Sequence, residues 1–346
     1  MVLLFYVAVA MIEVDVAVVG SGVAALKALC VAREANRSAI AVDAPYSDGG
    51  YLQLLDDLGV PKAPFFVYPA EAGFFERLGV SMECLDVAVR TVKTGDYGSK
   101  TAGFAGFDVQ RNWFLEWVEQ RRLCTARNAF GDLKKALGLP ADRPIHIASS
   151  IRRIDVARRV LALSSGEIVR FGLLVYTWPL PLLPRYVSPE EARQRIATEI
   201  EGLVLDHASA YIIAAPTTAP GNTIEIYTHG TKASRMHTAI KLAVGGTPML
   251  YTVTSYSKKY PLLPGIHEKL LSELRRHKIA NPQTLKKRHS INIAYALLNN
   301  TDQNKIKNLE QILQNHNIAI YGRLGQWKDR TVKEILEDEK LYQTIK

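Results

Sequence analysis

Residues Gly20-Ser21-Gly22-Val23-Ala24-Ala25 follow a β-branched and alanine-rich run, Val14 to Val19, and open a stretch with apolar residues at helical spacing to Arg33. A G-x-G-x-x-A pattern between a strand and a helix suits a pyrophosphate. Gly20 permits a tight turn, Gly22 removes the side chain that would block the phosphates, and Ala25 lets helix and strand pack closely. The N–H groups of the first helical turn then face the anion. Asp43 stands 21 residues after Gly22, at the end of a second apolar strand, "AIAVD". An acid there accepts hydrogen bonds from a ribose diol and repels a 2'-phosphate, so the pattern predicts a dinucleotide and disfavours NADP.

A second glycine turn lies at the other end of the chain, in "YGRLGQWKDRTVKEILED", Tyr321 to Asp338. It reads as a strand, a G-R-x-G turn and a helix beginning at Thr331, with Asp329 as a candidate cap. Such a turn sets a guanidinium and a positive helix end at one point, suited to a diphosphate and to the electron-rich pyrimidine edge of a flavin.

The elements that must position these turns form an α/β pattern. Val14–Val19, the helix and "AIAVD" make a βαβ opening, and "DAPYSDGGYLQLLDDLGVPKAP" continues as a loop and a short helix. The segment from Phe107 to Gly138 is the longest helix candidate, with Asp108 as N-cap, Gly138 as stop, and Trp113, Phe114 and Trp117 on one packing face. From Ile145 short strands take over, including "SSIRRI" and "EIVRFGLLVYTWP"; Arg185 to Leu274 mixes a helix with strands. Strands "INIAYALL" and "NIAIYG" and a final helix, "DRTVKEILEDEKL", close the chain.

With 346 residues, 48% of them apolar, the chain has room for two domains. The net charge is +9, of which +7 lies between Arg275 and Lys346, where 14 Lys and Arg face 7 Asp and Glu. Such a bias suits an anionic small substrate; no zinc-finger, RNA-binding or basic-zipper spacing accompanies it, so nucleic acid is not expected. Cys30, Cys84 and Cys124 form no C-x-x-C, which leaves no dithiol motif and no metal site evident in the sequence, and they read as three buried thiols in a reducing cytosol. The apolar start, "MVLLFYVAVAM", is shorter than the roughly 20 residues of a membrane span, and Met11 is a candidate initiator. The expectation is a soluble, cytoplasmic protein with its oligomeric state open.

On "VVGSGVAAL", "VDAPYSDGG", "GLLVYTWPLP" and "NIAIYGRLGQWK" the chain resembles the flavin-binding superfamily of amine oxidases, protoporphyrinogen oxidase and UDP-galactopyranose mutase. The resemblance implies a Rossmann-like FAD-binding domain of the glutathione-reductase type, residues 11–184 and 286–346, and a smaller inserted α+β substrate domain, residues 185–285. It implies FAD as cofactor, held at Gly20, Ser21, Gly22, Val23, Ala24 and Ala25 by its diphosphate and at Asp43 by its ribose. Gly49 and Gly50 match the family's double glycine, Ile151 the adenine-contacting backbone, Gly322 and Arg323 the late G-R motif, and Thr331 and Val332 the backbone beside the flavin ring. Asp43 replaces the more common Glu, and Trp327-Lys328-Asp329 departs from the tyrosine-rich continuation of the sugar mutases.

The function implied is an FAD-dependent oxidoreductase acting on a small molecule, with Arg235, Tyr256 and Trp327 as catalytic candidates. A flavin enzyme needs little from the protein beyond placing a substrate against the ring and tuning it electrostatically. His229 and His237, which bracket Arg235, read as core or surface residues. The alternatives are a non-redox nucleotide-sugar mutase, a degenerate flavin-binding protein without catalysis, and NAD binding without flavin.

Overall fold

The computed structural model describes residues 11–45, 48–140, 144–218, 220–281 and 283–346. The apolar start and Tyr46-Ser47 of the double-glycine stretch lie outside these residues. Two compact units are present: the first runs to Gly50 and adds Gly138–Val204 and Thr301–Lys346, and the second joins Tyr51–Leu137 to Leu205–Asn300.

In the first unit, β1 (Met11–Val19), α1 (Val23–Glu34) and β2 (Ala39–Asp43) form the βαβ opening. Val16 to Val19 are wholly buried, as a central parallel strand requires. β1 pairs in parallel with β2 and with Ile168–Tyr176, which pairs in parallel with Ile318–Ile320. His146–Ala148 extends the sheet beyond β2, and the antiparallel strands Ile151–Asp155 and Val160–Leu163 extend it on the other side. Val19 stands in register with Val42 and Tyr176, so three strands end together at the glycine turn. The ends of parallel strands are where open α/β sheets bind ligands.

The second unit is a seven-stranded sheet. Its order is His289–Leu298, His207–Pro216, Thr247–Ser257, Thr238–Val244, Thr223–His229, Glu83–Lys93 and Arg122–Thr125. Only Thr223–His229 and Glu83–Lys93 pair in parallel. Strand alternation sends Ile212, Tyr251 and Val253 into one cluster with Phe114 and Leu85. It sends Tyr211, Ile213 and Leu250 into another with Leu270, Leu271 and Leu274 of the helix Ile266–Arg276.

Several expectations need correction. The second unit is not a single insert at 185–285 and is the larger of the two: it recruits residues 51–137, because Glu83–Lys93 pairs with Thr223–His229 across a long sequence gap, and it keeps His289–Leu298. The long helix breaks into Trp113–Glu119 and Ala129–Ala136, capped by the side chains of Asn112 and Asn128 rather than by Asp108. Between them Arg122–Thr125 pairs with Glu83–Lys93, so tertiary pairing overrides the helical spacing. The stop at Gly138 holds, with φ +64°. The short helix after the double glycine is instead a hairpin of Leu54–Leu55 and Val60–Pro61 after a single 3-10 turn, Gly50–Leu52. The last helix is two, Val332–Leu336 and Lys340–Ile345.

The three free thiols are also corrected. Cys84 and Cys124 face each other across paired strands and are disulfide-bonded, leaving Cys30 buried and free. The reading of three reduced thiols in a cytosol is thereby overturned for two of the three cysteines. Among the described residues no helix is long and apolar enough to cross a membrane, and no cluster of His, Cys, Asp and Glu could hold a metal ion.

Candidate functional site

The two motif glycines of the first turn serve different ends. Gly20 has φ +122°, and a Cβ there would fall 2.2 Å from Thr177 Oγ1, whose hydroxyl donates to the Val19 carbonyl at 2.6 Å. Its N–H donates to the Val42 carbonyl at 2.9 Å, so Gly20 is fixed by its own protein. A Cβ on Gly22 would meet nothing within 4 Å. Open space therefore lies over the residue that starts α1, a 12-residue helix with no side-chain cap and no acid in its first turn. Unsatisfied N–H groups and the positive end of the helix dipole favour an anion there. Val23 and Ala25 are buried beneath the turn, and Ala24 is half-buried.

Other predicted residues gather around this point. Gly49 N–H donates to the Ser21 carbonyl at 3.0 Å, and a Cβ on Gly50, φ +58°, would stand 4.0 Å from Gly22 Cα. Gly322, φ +78°, packs so closely on α1 that a Cβ would lie 2.4 Å from Ala24 Cβ. The glycine motifs of the two chain ends thus meet. Asp43 is a hub: Oδ2 accepts from Ser21 Oγ at 2.6 Å, and Oδ1 accepts from Ala44 N at 2.8 Å and Trp178 Nε1 at 3.1 Å. Ser149 N–H donates to the Asp43 carbonyl at 2.8 Å, which brings the segment leading to Ile151 beside the end of β2. Ile151 is buried and paired with Leu163. Next to it, His146 Nδ1 meets Asp48 Oδ1 at 2.7 Å, and this bond to Asp48, against burial, raises the imidazole above its usual range.

The C-terminal residues divide differently. Arg323 Nε donates to Asp329 Oδ1 at 2.6 Å, and the Asp329 side chain is fully buried, so Asp329 is an ion partner and not a helix cap. Thr331 itself caps Val332–Leu336 in a capping box. Its N–H donates to Glu334 Oε2 at 2.6 Å, while Glu334 N–H donates to Thr331 Oγ1 at 3.1 Å. That N–H is therefore already engaged, and Val332 is buried. Trp327, a catalytic candidate, is covered by protein atoms on all sides, with 0% exposure, and is a packing residue.

In the second unit Arg235 lies with its guanidinium 4.9 Å from the Phe104 ring. His237 stacks on the same ring, centroids 4.8 Å apart, and is wholly buried with neither ring nitrogen hydrogen-bonded. Burial, with Lys100 and Arg235 adding to it, holds this imidazole well below its usual range and therefore neutral. Lys100 is 1% exposed and donates to the His229 carbonyl at 2.7 Å and to the Met236 carbonyl; burial lowers it to about 8 against the pull of Glu273. Tyr97 and Thr238 hydroxyls pair beside it. Tyr256 packs in the opposite cluster, against the Ile266–Arg276 helix, and its hydroxyl donates to Asn292 Oδ1 at 3.3 Å.

Sequence reasoning missed Thr177, Trp178 and Lys100. The first two follow directly on a predicted strand, in "VYTWP", and their position at its end was the available signal. Lys100 gave none, since nothing local marks a lysine for burial.

No protein family and no curated protein matches the chain. Among solved structures it is similar to a reduced UDP-galactopyranose mutase, 13% identical with a TM-score of 0.71, covering 96% of this chain and 94% of the mutase. A cyclohexylamine oxidase from Brevibacterium oxydans is 11% identical with a TM-score of 0.64, covering 96% and 98%. A putrescine oxidase with redesigned cofactor binding is 10% identical with a TM-score of 0.62, covering 97% and 99%. The chain shares the fold of these proteins along nearly its whole length.

Proposed function

We propose that the first unit binds FAD and that the protein is an FAD-dependent oxidoreductase acting on a small molecule. The observation that carries this reading is the open space at Gly22, set over an uncapped helix start and beside the Gly322 turn. In this reading the backbone of Gly20, Ser21 and Gly22 holds the diphosphate, with Gly49 and Gly50 alongside. Asp43, whose Oδ2 keeps acceptor capacity beyond its bond from Ser21, takes the ribose. The Ile151 backbone meets the adenine, and Arg323, steadied by Asp329, adds positive charge near the phosphates. When bound, FAD supplies the electron acceptor. Of the catalytic candidates Arg235 is kept, as a cation for an anionic group of the substrate, while Tyr256 and Trp327 are set aside as packing residues.

A second reading, a redox-neutral flavoenzyme acting on a nucleotide sugar, draws on the TM-score of 0.71 to the mutase. Anaerobic mixing of the FAD-loaded protein with primary amines separates the two. Bleaching of the visible flavin band supports the oxidoreductase. A band that persists, together with retention of UDP-sugars by the dithionite-reduced protein, supports the mutase. Failure to load FAD overturns both.

A further inference from the structure

The Asp43 carboxylate is held by donors from the ends of three adjacent strands. They are the Ser21 hydroxyl after β1, the Ala44 N–H after β2 and the Trp178 indole N–H after Ile168–Tyr176. Ser21 reaches Oδ2 at 2.6 Å, while Ala44 and Trp178 reach Oδ1 at 2.8 and 3.1 Å. Ser21 and Ala44 are near at hand, one in the glycine motif and the other next in the chain. Trp178 comes from the strand on the far side of β1 and crosses its end to reach Asp43.

The chain fixes this tryptophan on both sides. Before it, Thr177 donates twice to the Val19 carbonyl, through its N–H at 3.0 Å and its hydroxyl at 2.6 Å. After it, Pro179 restricts Trp178 to extended backbone conformations. The Tyr186 ring packs edge-on against the indole, with centroids 5.7 Å apart and planes at 61°. The indole lies over the glycine turn, where a Cβ on Gly20 would stand 3.4 Å from Trp178 Cδ1. A ring so placed gives the Asp43 side chain one orientation.

That orientation limits what the carboxylate can still bind. An ionised carboxylate offers about four acceptor positions, two on each oxygen. Ala44 and Trp178 fill both on Oδ1, and Ser21 fills one on Oδ2, so among the described residues one position stays open, on Oδ2.

We infer that Trp178 is a positioning residue that makes Asp43 the reader of a single hydroxyl of the adenosine ribose. By filling the second position on Oδ1, the indole leaves the diol one acceptor where an unencumbered carboxylate receives both hydroxyls. It also orders the carboxylate before ligand arrives, which lowers the cost of binding. The inference rests on the reading of the glycine turn as an FAD site.

The test measures the affinity of the apoprotein for FAD and for two analogues, lacking the 2'- or the 3'-hydroxyl of the adenosine ribose. One analogue is expected to bind within about twofold of FAD and the other about 10-fold more weakly, the loss of one hydrogen bond to a charged group. Trp178→Phe keeps a ring and removes the N–H. It is expected to weaken FAD about 10-fold and to narrow the gap between the analogues to about twofold, because Oδ1 is then open to the second hydroxyl. In a D43A background the same substitution is expected to change FAD affinity no further. No uptake of FAD by the wild type overturns the FAD reading and this inference with it. Uptake of FAD with both analogues weakened alike, or with neither weakened, overturns this inference alone. So does a W178F protein that keeps the wild-type gap, or a loss of affinity that is the same with and without Asp43. If W178F does not fold, the analogues on the wild type decide.

Discussion

The two units treat buried histidine in opposite ways. In the first, His146 is tied to Asp48 and raised above its usual range; in the second, His237 is enclosed by Phe104 and Phe114, unbonded at both nitrogens, and held neutral. The same contrast runs through the neighbouring groups. Around the glycine turn Asp43, Ser21, Thr177 and Trp178 are joined in hydrogen bonds, and the space left open is the one over Gly22. In the second unit burial holds His237 neutral and lowers Lys100 to about 8, and the Thr252 and Ser255 hydroxyls lie buried without partners. A rigid cradle beside one specific gap suits a large cofactor of fixed shape. Polar groups whose protonation is set by burial suit a part of the molecule whose polar capacity is not consumed by its own fold.

The sharpest way to break this contrast is at the two glycines. Gly22→Val, which has no protein atom to strike, is expected to leave the thermal midpoint unchanged and weaken FAD binding about 100-fold or more, about 3 kcal/mol. Gly20→Ala must push against the Thr177 side chain and hold an L residue at φ +122°, and is expected to cost about 3 kcal/mol of stability with a lower melting temperature. Equal behaviour of the two variants in both assays would erase the distinction between fold and cradle.

The second unit has its own handle. Reduction of the Cys84–Cys124 bond, or the C84S/C124S variant, is expected to cost about 2–4 kcal/mol, since the bond closes a loop across a sequence separation of 40. Thiol titration of the unfolded protein checks the premise: one reactive thiol before reduction and three after.

The histidines give effects of opposite sign. His237 has a folded pKa far below the unfolded value near 6.5, so below about that pH the unfolded chain binds a proton that the folded one refuses, and stability falls as pH falls. His237→Gln is expected to flatten that acid limb. His146 has a raised folded pKa, so its contribution is complete below the unfolded value and is lost as pH rises through the folded one. His146→Gln is expected to cost most stability at acid pH. Chemical denaturation of both variants between about pH 5 and 8 reads the two slopes. The smallest expected effect is Thr331→Ala, about 1 kcal/mol from loss of the capping box, with FAD binding retained.

What was legible in the sequence is what is local. Gly20, Gly22, the following helix and Asp43 sit within one βαβ unit, and their spacing alone predicts the turn. The meeting of Gly322 with Ala24 was readable only because two separate glycine motifs were each informative. The rest depends on partners far along the chain. Arg122–Thr125 looks helical until Glu83–Lys93 is beside it, and residues 51–137 look like part of the first unit until that strand finds Thr223–His229. Trp178 reaches Asp43 because Ile168–Tyr176 lies next to β1, a pairing that no short-range pattern encodes.

The central claim is that the gap over Gly22 is a diphosphate cradle. The direct measurement is the visible absorbance of purified wild-type and Gly22→Val proteins after incubation with FAD and gel filtration, with chromatography of the cofactor released by acid. The account predicts a yellow wild type that releases FAD and a folded, colourless variant. A wild type that takes up no FAD, or a variant that holds it equally well, would contradict it.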